Sequence, residues 1–586
     1  MSTYRIDEED LLFQIRECPG LASLTGVHPS PDCQADTAEM ILDQISGFAK
    51  KVLAPLRQDA DQFGCQFDAG KVKVAPGLQE AWDAYRELGV MAMCEGAEFG
   101  GAELPHFFQV PVTECECGSF VSFSMLPLLT KEAANLIASF GSDDLKKTYV
   151  PNMYNGTWSG TMCLTEPQAG SDVGSAVTKA VPEGDHYLIS GTKIFITWGE
   201  HDLSENIIHL VLARVPGAPE GTKGLSLFVV PKVHPDGTPN DVVCGSIEHK
   251  MGIHASPTAV LNFGNDGKCI GYLVGQVNQG MSYMFQMMNR ARINVGVQGM
   301  AQASAAYLDA LQYARERKQG VVKTAEGLRS VPIIEHPDIQ NMLLKMRAVV
   351  HGARNLFSHL GLFQDLAEHG ENRAFNEGLV ELLTPISKTY GSDYGFRVAE
   401  WAVQVFGGYG YCRDYGMEQY LRDLKITSIY EGTNGIQALD LVFRKLLGSK
   451  GALLQNWFQY LAPVLADCQG TDFSKLAEGI QKAHQALGEV CKRMGLAMAN
   501  GKVQSVQFHA SAFQEAMCHV VIAGLHLKQA LVARQLVESG QGSLSENFYR
   551  QKEVSCRFYF SYFLPSAVVQ LQKMDFEDAG IKELSF

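Results

Sequence analysis

Apolar residues recur at three- and four-residue steps in the first stretch of the chain, and the period changes twice further along. Met40, Ile41, Ile45, Phe48 and Val52 mark one apolar face, the spacing of an amphipathic helix, and similar spacing fills residues 36–160. Near Thr161 the texture shifts to short runs rich in β-branched and aromatic residues. These are His186-Tyr-Leu-Ile-Ser, Lys193-Ile-Phe-Ile-Thr, Ile207-Ile-His-Leu-Val-Leu and Leu225-Ser-Leu-Phe-Val-Val. Gly, Pro and Asp clusters separate the runs, so 161–270 predicts a mainly β region. Helical spacing returns after Gly280: Ile339, Met342, Leu343, Met346 and Val350 form one stripe, continued by Val398 to Val405. A later stripe runs through Phe473, Leu476, Ile480, Ala483, Leu487, Val490 and Met494.

This pattern predicts an α+β chain in five parts. An extension over 1–35 ends in the turn-rich Gly26-Val-His-Pro-Ser-Pro-Asp; a helical domain at 36–160 and a central β domain at 161–275 follow. A second helical domain at 276–450 and an additional helical domain at 451–586 complete the chain. The aromatic run 558–564 could face a membrane or a partner, but it reads better as part of a buried tail helix.

Composition narrows the function classes. A chain of 586 residues exceeds one ordinary core, and 46% hydrophobic with 19% charged residues is a globular balance. The formal charge of -15 argues against nucleic acid or an anionic membrane as the main partner, without excluding an anionic small ligand. The cysteines are scattered, the closest pair being Cys115-Glu-Cys117, so neither a disulfide framework nor a metal site is expected. The first residues, MSTYRIDEEDLLFQIRE, are charged where a signal peptide needs an apolar stretch, and no apolar run approaches a membrane span. The expectation is a soluble, cytoplasmic protein with no transmembrane segment.

Candidate chemistry comes next. No Rossmann or Walker glycine motif is present. Four other segments crowd small, hydroxyl and Gly residues beside aromatics: 162–174 (MCLTEPQAGSDVG), 191–199 (GTKIFITWG), 404–411 (QVFGGYGY) and 429–437 (IYEGTNGIQ). Glycine lets a ligand approach the backbone, and successive N–H groups in such turns cradle phosphate oxygens. Any one of these segments alone reads as a turn. Together, in this helix–β–helix order, they closely resemble the acyl-CoA dehydrogenases over roughly residues 36–450.

That resemblance implies two helical domains flanking a β domain, with FAD lying between the β domain and the C-terminal helices. By resemblance, Met162, Leu164, Thr165, Gly170 and Ser171 contact the flavin and its phosphates, and Ser171 also meets substrate. Phe195 and Thr197 pack on the ring and bond its edge; the family most often has Trp in place of Phe195. Arg317, Lys318 and Gln319 fall where the family reaches the FAD of a neighbouring subunit, as do Gln404, Gly407 and Gly408. His336 belongs to the same contact but follows an insertion, Val321 to Pro332. Thr433 and Asn434 are also implied FAD contacts, and the whole set implies a homodimer or homotetramer. Read alone, Arg317 is an ordinary helix charge.

Glu431 is the implied catalytic base. It sits between a strand-like aromatic run, Ile426 to Tyr430, and an apolar helical pattern, Ile436 to Leu447, with Gly432, Thr433 and Asn434 forming a turn at a helix start. Read alone it is a helix N-terminal charge. In the family a base at this position takes the proton next to an acyl-CoA thioester, and flavin accepts the β-hydride. Donors on the thioester oxygen stabilise the enolate, and excluded water raises the carboxyl pKa toward a useful value. By resemblance Glu431 supplies one donor through its backbone N–H, Tyr430 lines the acyl pocket, and Gly432 leaves room for the thioester. Asn289 and Arg292 match positions that hold the coenzyme A arm, though the family commonly has Asp at 289; both read equally well as solvated or salt-bridged helix positions.

The tail resembles the larger members of the family, which span very different acyl groups and include those acting on long chains and those acting on 3-methylthiopropanoyl-CoA. The expected reaction is dehydrogenation of an acyl-CoA to a trans-2-enoyl-CoA, with medium-to-long straight chains favoured and an electron-transferring flavoprotein taking the electrons. Competing readings are a 3-methylthiopropanoyl-CoA dehydrogenase, an acyl-CoA oxidase, nitroalkane chemistry, and a non-catalytic assembly protein.

Overall fold

The computed structural model describes residues 4–325 and 327–577. Its contacts separate two units: one built mainly from Leu42–Leu104 and Cys115–Ala291, the other from Arg5–Ile41, Pro105–Glu114 and the chain from Arg292 onward. Helical, β, helical and again helical stretches follow one another in the predicted order.

In the first unit, a small hairpin pairs β1 (Gln66–Asp68) with β2 (Lys71–Lys73). The eight-stranded sheet then comprises β3 (Trp158–Cys163), β4 (Lys179–Glu183), β5 (His186–Thr197), β6 (Asn206–Arg214), β7 (Leu225–Pro231), β8 (Val242–Ile247), β9 (Thr258–Phe263) and β10 (Ile270–Val274). The strand order is β10-β7-β6-β4-β5-β9-β8, with β3 parallel to β6. Alternate residues of β6 enter different cores. Ile208, Leu210 and Leu212 pack with Ile137, Tyr149 and Met153, whereas Val211 and Ala213 pack with Phe228, Val230 and Leu261. Both faces are covered, which is why this strand is buried from Asn206 to Ala213 and its apolar residues do not alternate with exposed ones.

The two runs expected as separate strands, 186–190 and 193–197, form one strand. β5 pairs with β4 through His186–Ser190 and then with β9 from Gly191 onward. The crossing is close, and a Cβ on Gly191 (φ +155°) would lie 2.4 Å from Thr178 Oγ1. Glycine therefore joins what the sequence divides. Met40, predicted on an apolar face, is 55% exposed, while Ile41, Leu42, Ile45 and Phe48 are buried; the face is rotated by about one position.

In the second unit, the long helices Gly280–Glu316 and Arg373–Phe406 meet backbone to backbone. A Cβ on Gly299 would lie 2.1 Å from the Gly391 carbonyl oxygen. The insertion folds as a hairpin of β11 (Lys318–Thr324) and β12 (Gly327–Pro332), with Val321 opposite Ser330 and Lys323 opposite Leu328. The tail helices close onto the same unit: Gln514 Nε2 donates to the Pro385 carbonyl at 3.1 Å, and His526 Nε2 lies 2.9 Å from the Ala348 carbonyl oxygen. Tyr559, Phe563 and Leu564 of the aromatic run are buried.

One helix, Val503–Ser539, does contain an 18-residue window of mean hydropathy 1.4, contrary to the expectation that no run approaches a span. Because 89% of that window is buried inside the protein, its apolarity is that of a core helix.

The segment 1–35, read as an extension, carries a helix over Glu8–Arg16 that is sewn into the second unit. Asp7 caps it by accepting from the Asp10 backbone N–H, and Asp10 is fully buried. There the Asp10 carboxylate meets Arg354 and Lys552. Arg354 also grips Glu114 with two bonds, at 2.8 and 2.5 Å, and donates to Ser304 Oγ at 2.8 Å. Burial pushes the Asp10 carboxyl up, but His351, Lys552 and Arg354 outweigh it and hold it far below the ordinary carboxylate range. Asp7, Asp10 and His351 lie close enough together to share a cation; Arg354 and Lys552 already supply the positive charge.

Candidate active site

Two groups of the predicted residues assemble in the second unit and one in the first. In the first unit, the end of β3 and the bend of β5 lie side by side: the Ile194 N–H donates to the Thr165 carbonyl at 2.9 Å. Met162, Leu164, Thr165 and Thr197 are half-buried along this edge. Phe195 sits in the left-handed region at φ +59° and is 58% exposed. The ladder between β5 and β9 shifts register between Lys193 and Ile196, and such a bulge turns a side chain out of its expected face. A large aromatic held outward by a strained backbone costs stability unless something covers it.

The loop beyond β3 is pinned from beneath. Buried Lys193 donates to the Leu164 carbonyl and to Glu166, both at 2.9 Å. Glu166 also accepts from the Val177 and Thr178 backbone N–H groups, at 2.7 and 3.0 Å. Burial pushes the Glu166 carboxyl up, yet Lys193 and these donors prevail and bring it to about 2. Arg214 holds the carbonyls of Ala176, Pro219 and Gly221, at 2.7, 3.0 and 2.8 Å. Gly170 and Ser171 are thereby presented exposed, and a Cβ on Gly170 would meet nothing within 4 Å.

In the second unit, Glu431 sits on the predicted turn. The helix Asn434–Leu439 starts with Thr433 as its cap, accepting from the Ile436 N–H. The preceding run, expected to be strand-like, is instead a helical turn over Ile426–Ser428 directly after the helix Met417–Lys425. Its β-branched and aromatic residues gave the misleading signal, and tertiary packing overrode propensity. Glu431 is half-buried and left-handed at φ +55°, and Gly432 follows at φ +87°. A Cβ on Gly432 would lie 2.8 Å from Gln437 Nε2, which itself donates to the Gly432 carbonyl at 3.2 Å. Tyr430 donates its hydroxyl hydrogen to Gln298 Oε1.

Two cations accompany the turn. Arg292 is 4% exposed and lies 3.4 Å from Asp440. Burial lowers its pKa, against the attraction of Asp440 and Glu431. Lys388 is fully buried and donates to Asn434 Oδ1 at 2.7 Å. Asn289, three residues before Arg292 on the same helix, is exposed.

The third group lies on the surface of the second unit. Arg317 stacks over the Tyr409 ring at 5.6 Å, and His336 Nε2 lies 2.7 Å from the Gln319 carbonyl oxygen. Gln404, Gly407 and Gly408 are exposed where the helix Arg373–Phe406 ends, its cap made by the Gly407 N–H donating to the Gln404 carbonyl. Lys318, exposed at the start of β11, adjoins them in sequence.

Domain models of the acyl-CoA dehydrogenases match this chain along most of its length: the N-terminal domain at 35–157, the middle domain at 161–265 and the C-terminal domain at 278–447. An acetyl-CoA dehydrogenase C-terminal-like domain matches 460–584. The chain belongs to the acyl-CoA dehydrogenase family. It is therefore an oxidoreductase of a family whose cofactor is FAD. The 3-methylmercaptopropionyl-CoA dehydrogenase of Ruegeria pomeroyi is 42% identical over 83% of both chains. A broad-specificity linear acyl-CoA dehydrogenase of Mycobacterium tuberculosis is 34% identical over 100% of this chain and 99% of its own. Among solved structures, Caenorhabditis elegans ACDH-11 in complex with C11-CoA superposes with a TM-score of 0.77 at 21% identity, covering 93% of this chain and 90% of its own; this likeness concerns the fold.

Sequence reading missed several residues that pack around the Glu431 turn. Lys388 is a solitary cation in the apolar run of 379–390, a mismatch that could have flagged it. Asp440 and Gln298 carried no such signal, because a single polar residue in a helical pattern reads first as a solvated one.

Proposed function

We propose that the chain dehydrogenates an acyl-CoA thioester between its α- and β-carbons, with Glu431 as the base. The observation that carries this reading is the Glu431 turn: a half-buried carboxylate in a left-handed conformation, followed by glycine and electrostatically coupled to Lys388 and Arg292. A non-Gly residue at positive φ stores backbone strain that an ordinary helix-start charge does not need.

The residues of the chain fit FAD. The outward Phe195 supplies an aromatic platform, Thr197 a hydroxyl beside it, and the open loop at Gly170 and Ser171 leaves backbone exposed for close approach. When bound, FAD supplies the acceptor for the hydride leaving the β-carbon. Glu431 takes the α-proton on a carboxylate oxygen, and its backbone N–H donates to the thioester oxygen as negative charge develops there. Gly432 keeps that approach open, Tyr430 lines the acyl chain, and Arg292 keeps the carboxylate in a positive field. The surface cluster of Arg317, Gln319, Gln404 and half-buried His336 is assigned to the FAD of a neighbouring copy, giving a homodimer or homotetramer. The electrons pass on to an electron-transferring flavoprotein, and the enzyme works in the cytoplasm.

The substrate is assigned to straight-chain acyl-CoAs of medium to long length, with 3-methylthiopropanoyl-CoA as the second reading, favoured by the 42% identity to the Ruegeria dehydrogenase. Anaerobic titration of the purified holoenzyme with acyl-CoAs of graded length and with 3-methylthiopropanoyl-CoA should bleach the flavin absorbance. The thioester that bleaches fastest names the class. Bleaching by none of them overturns the reading.

A second expectation concerns Phe195. Its replacement by Ala should loosen FAD by several-fold to about tenfold, since an aromatic stack contributes roughly 0.5–1.5 kcal/mol beyond its buried area. Phe195→Trp should retain the cofactor. Flavin fluorescence released on dilution reads both; equal retention by the Ala variant would remove Phe195 from the flavin platform.

A further inference from the structure

Lys388 is the least expected group beside the Glu431 turn. It lies within the helix Arg373–Phe406, fully buried, where an ammonium is costly to place without partners. Its Nζ donates to Asn434 Oδ1 at 2.7 Å. The Asn434 amide in turn donates to Asp393 Oδ1 at 2.7 Å and to Ser392 Oγ at 3.0 Å. Asn434 is the first residue of the short helix that follows Glu431, so its side chain ties the start of that helix to the helix that carries Lys388.

We propose that Lys388 is a positioning residue for the base: through Asn434 it fixes the turn that carries Glu431, and its positive charge keeps the Glu431 carboxylate ionised. The inference rests on the reading of Glu431 as the base. A proton acceptor must be deprotonated when substrate arrives, and burial alone works against that. A cation held within the same packed helices restores the balance without touching substrate.

The charges around Lys388 come from several elements. Asp393 and Ser392 lie on its own helix, Arg292 on the helix Gly280–Glu316, and Glu431 and Asn434 on the turn. Asp393 also feels Lys425 and Glu515. Burial brings the Lys388 ammonium down to about 7, with Asp393 and Glu431 pulling upward and Arg292 downward. Its charge is therefore present in acid and fades as the pH rises through neutrality. The support it gives is complete over the range where a carboxyl would otherwise bind a proton.

The test measures the carboxyl directly. The infrared difference between the holoenzyme and its Glu431→Gln variant isolates the Glu431 band, which is followed against pH without substrate. Lys388→Gln, which keeps a donor toward Asn434 but removes the charge, should move the midpoint of that band upward by about one pH unit, as loss of a nearby opposite charge does. Lys388→Arg should leave the midpoint in place. The pH profile of anaerobic flavin bleaching should shift on its acid limb in the same way. A Lys388→Gln midpoint coinciding with that of the unmodified protein overturns the proposal, as does an Arg variant that moves as far as the Gln variant. If Lys388→Gln does not fold because Asp393 loses one of its two neighbouring cations, the same comparison in an Asp393→Asn background restores the charge balance and decides it. Full bleaching by Glu431→Gln would instead sink the assignment of the base, a separate outcome.

Discussion

Replacing Glu431 by Gln is expected to slow flavin bleaching by acyl-CoA at least about 100-fold while substrate binding changes little. General bases contribute roughly 10²–10⁴ in rate, and glutamine keeps the volume and the turn but accepts no proton. The backbone N–H proposed to face the thioester oxygen is unchanged by the substitution, so the ground-state contacts should survive. An effect confined to the rate constant for reduction, with the dissociation constant for acyl-CoA unmoved, is the signature of an interaction made in the transition state. Rapid-mixing measurement of reduction at several acyl-CoA concentrations separates the two. A variant that loses affinity but reduces flavin at the usual rate would make Glu431 a binding residue and leave the base unassigned.

The second large effect concerns stability. Arg354→Met should destabilise the protein by about 3–5 kcal/mol, because Asp10 and Glu114 then remain buried without the guanidinium that pairs them. Asp10 also supplies a pH dependence with a definite sign. Its folded-state carboxyl is held far below the ordinary range, so the stability it contributes is present above that range and is lost as acid protonates it. The gap between the variant and the unmodified protein should thus be widest near neutral pH and narrow toward acid. Urea unfolding at several pH values checks both points; a gap of under 1 kcal/mol at neutral pH would mean that the network is not what holds the helix Glu8–Arg16 in place.

How much of this was legible in the residues follows from what each signal depends on. The apolar stripes of Met342 to Val350 and of Phe473 to Met494 predict helices whose stripe residues are mostly buried, since the 3.6-residue period acts within one element. The joining of 186–197 into one strand was not legible, because it depends on Gly191 crossing Thr178, a residue on another segment. The run Ile426 to Tyr430 has strand-like residue types, yet it continues a helix. The first 35 residues read as an extension because a short helix with acidic Glu8, Glu9 and Asp10 in its first turn looks solvated until Arg354 and Lys552 arrive from far along the chain. At the site, the four Gly-rich segments pointed to the turns themselves. The left-handed backbone of Phe195 and Glu431, and the lysine behind Asn434, are properties of three-dimensional neighbours.

The bond between Asp10 and Lys552 joins residues 542 positions apart. At ribosomal rates of about 5–20 residues per second, roughly half a minute to two minutes separates the synthesis of the two. The β-rich unit, by contrast, draws on residues no later than Ala291 and is fully synthesised while translation continues. Throughout that interval the nascent helix at Glu8–Arg16 carries a carboxylate whose burial is not yet compensated, so the growing polypeptide has reason to keep it in water. Vectorial synthesis thus leaves the second unit to be completed last.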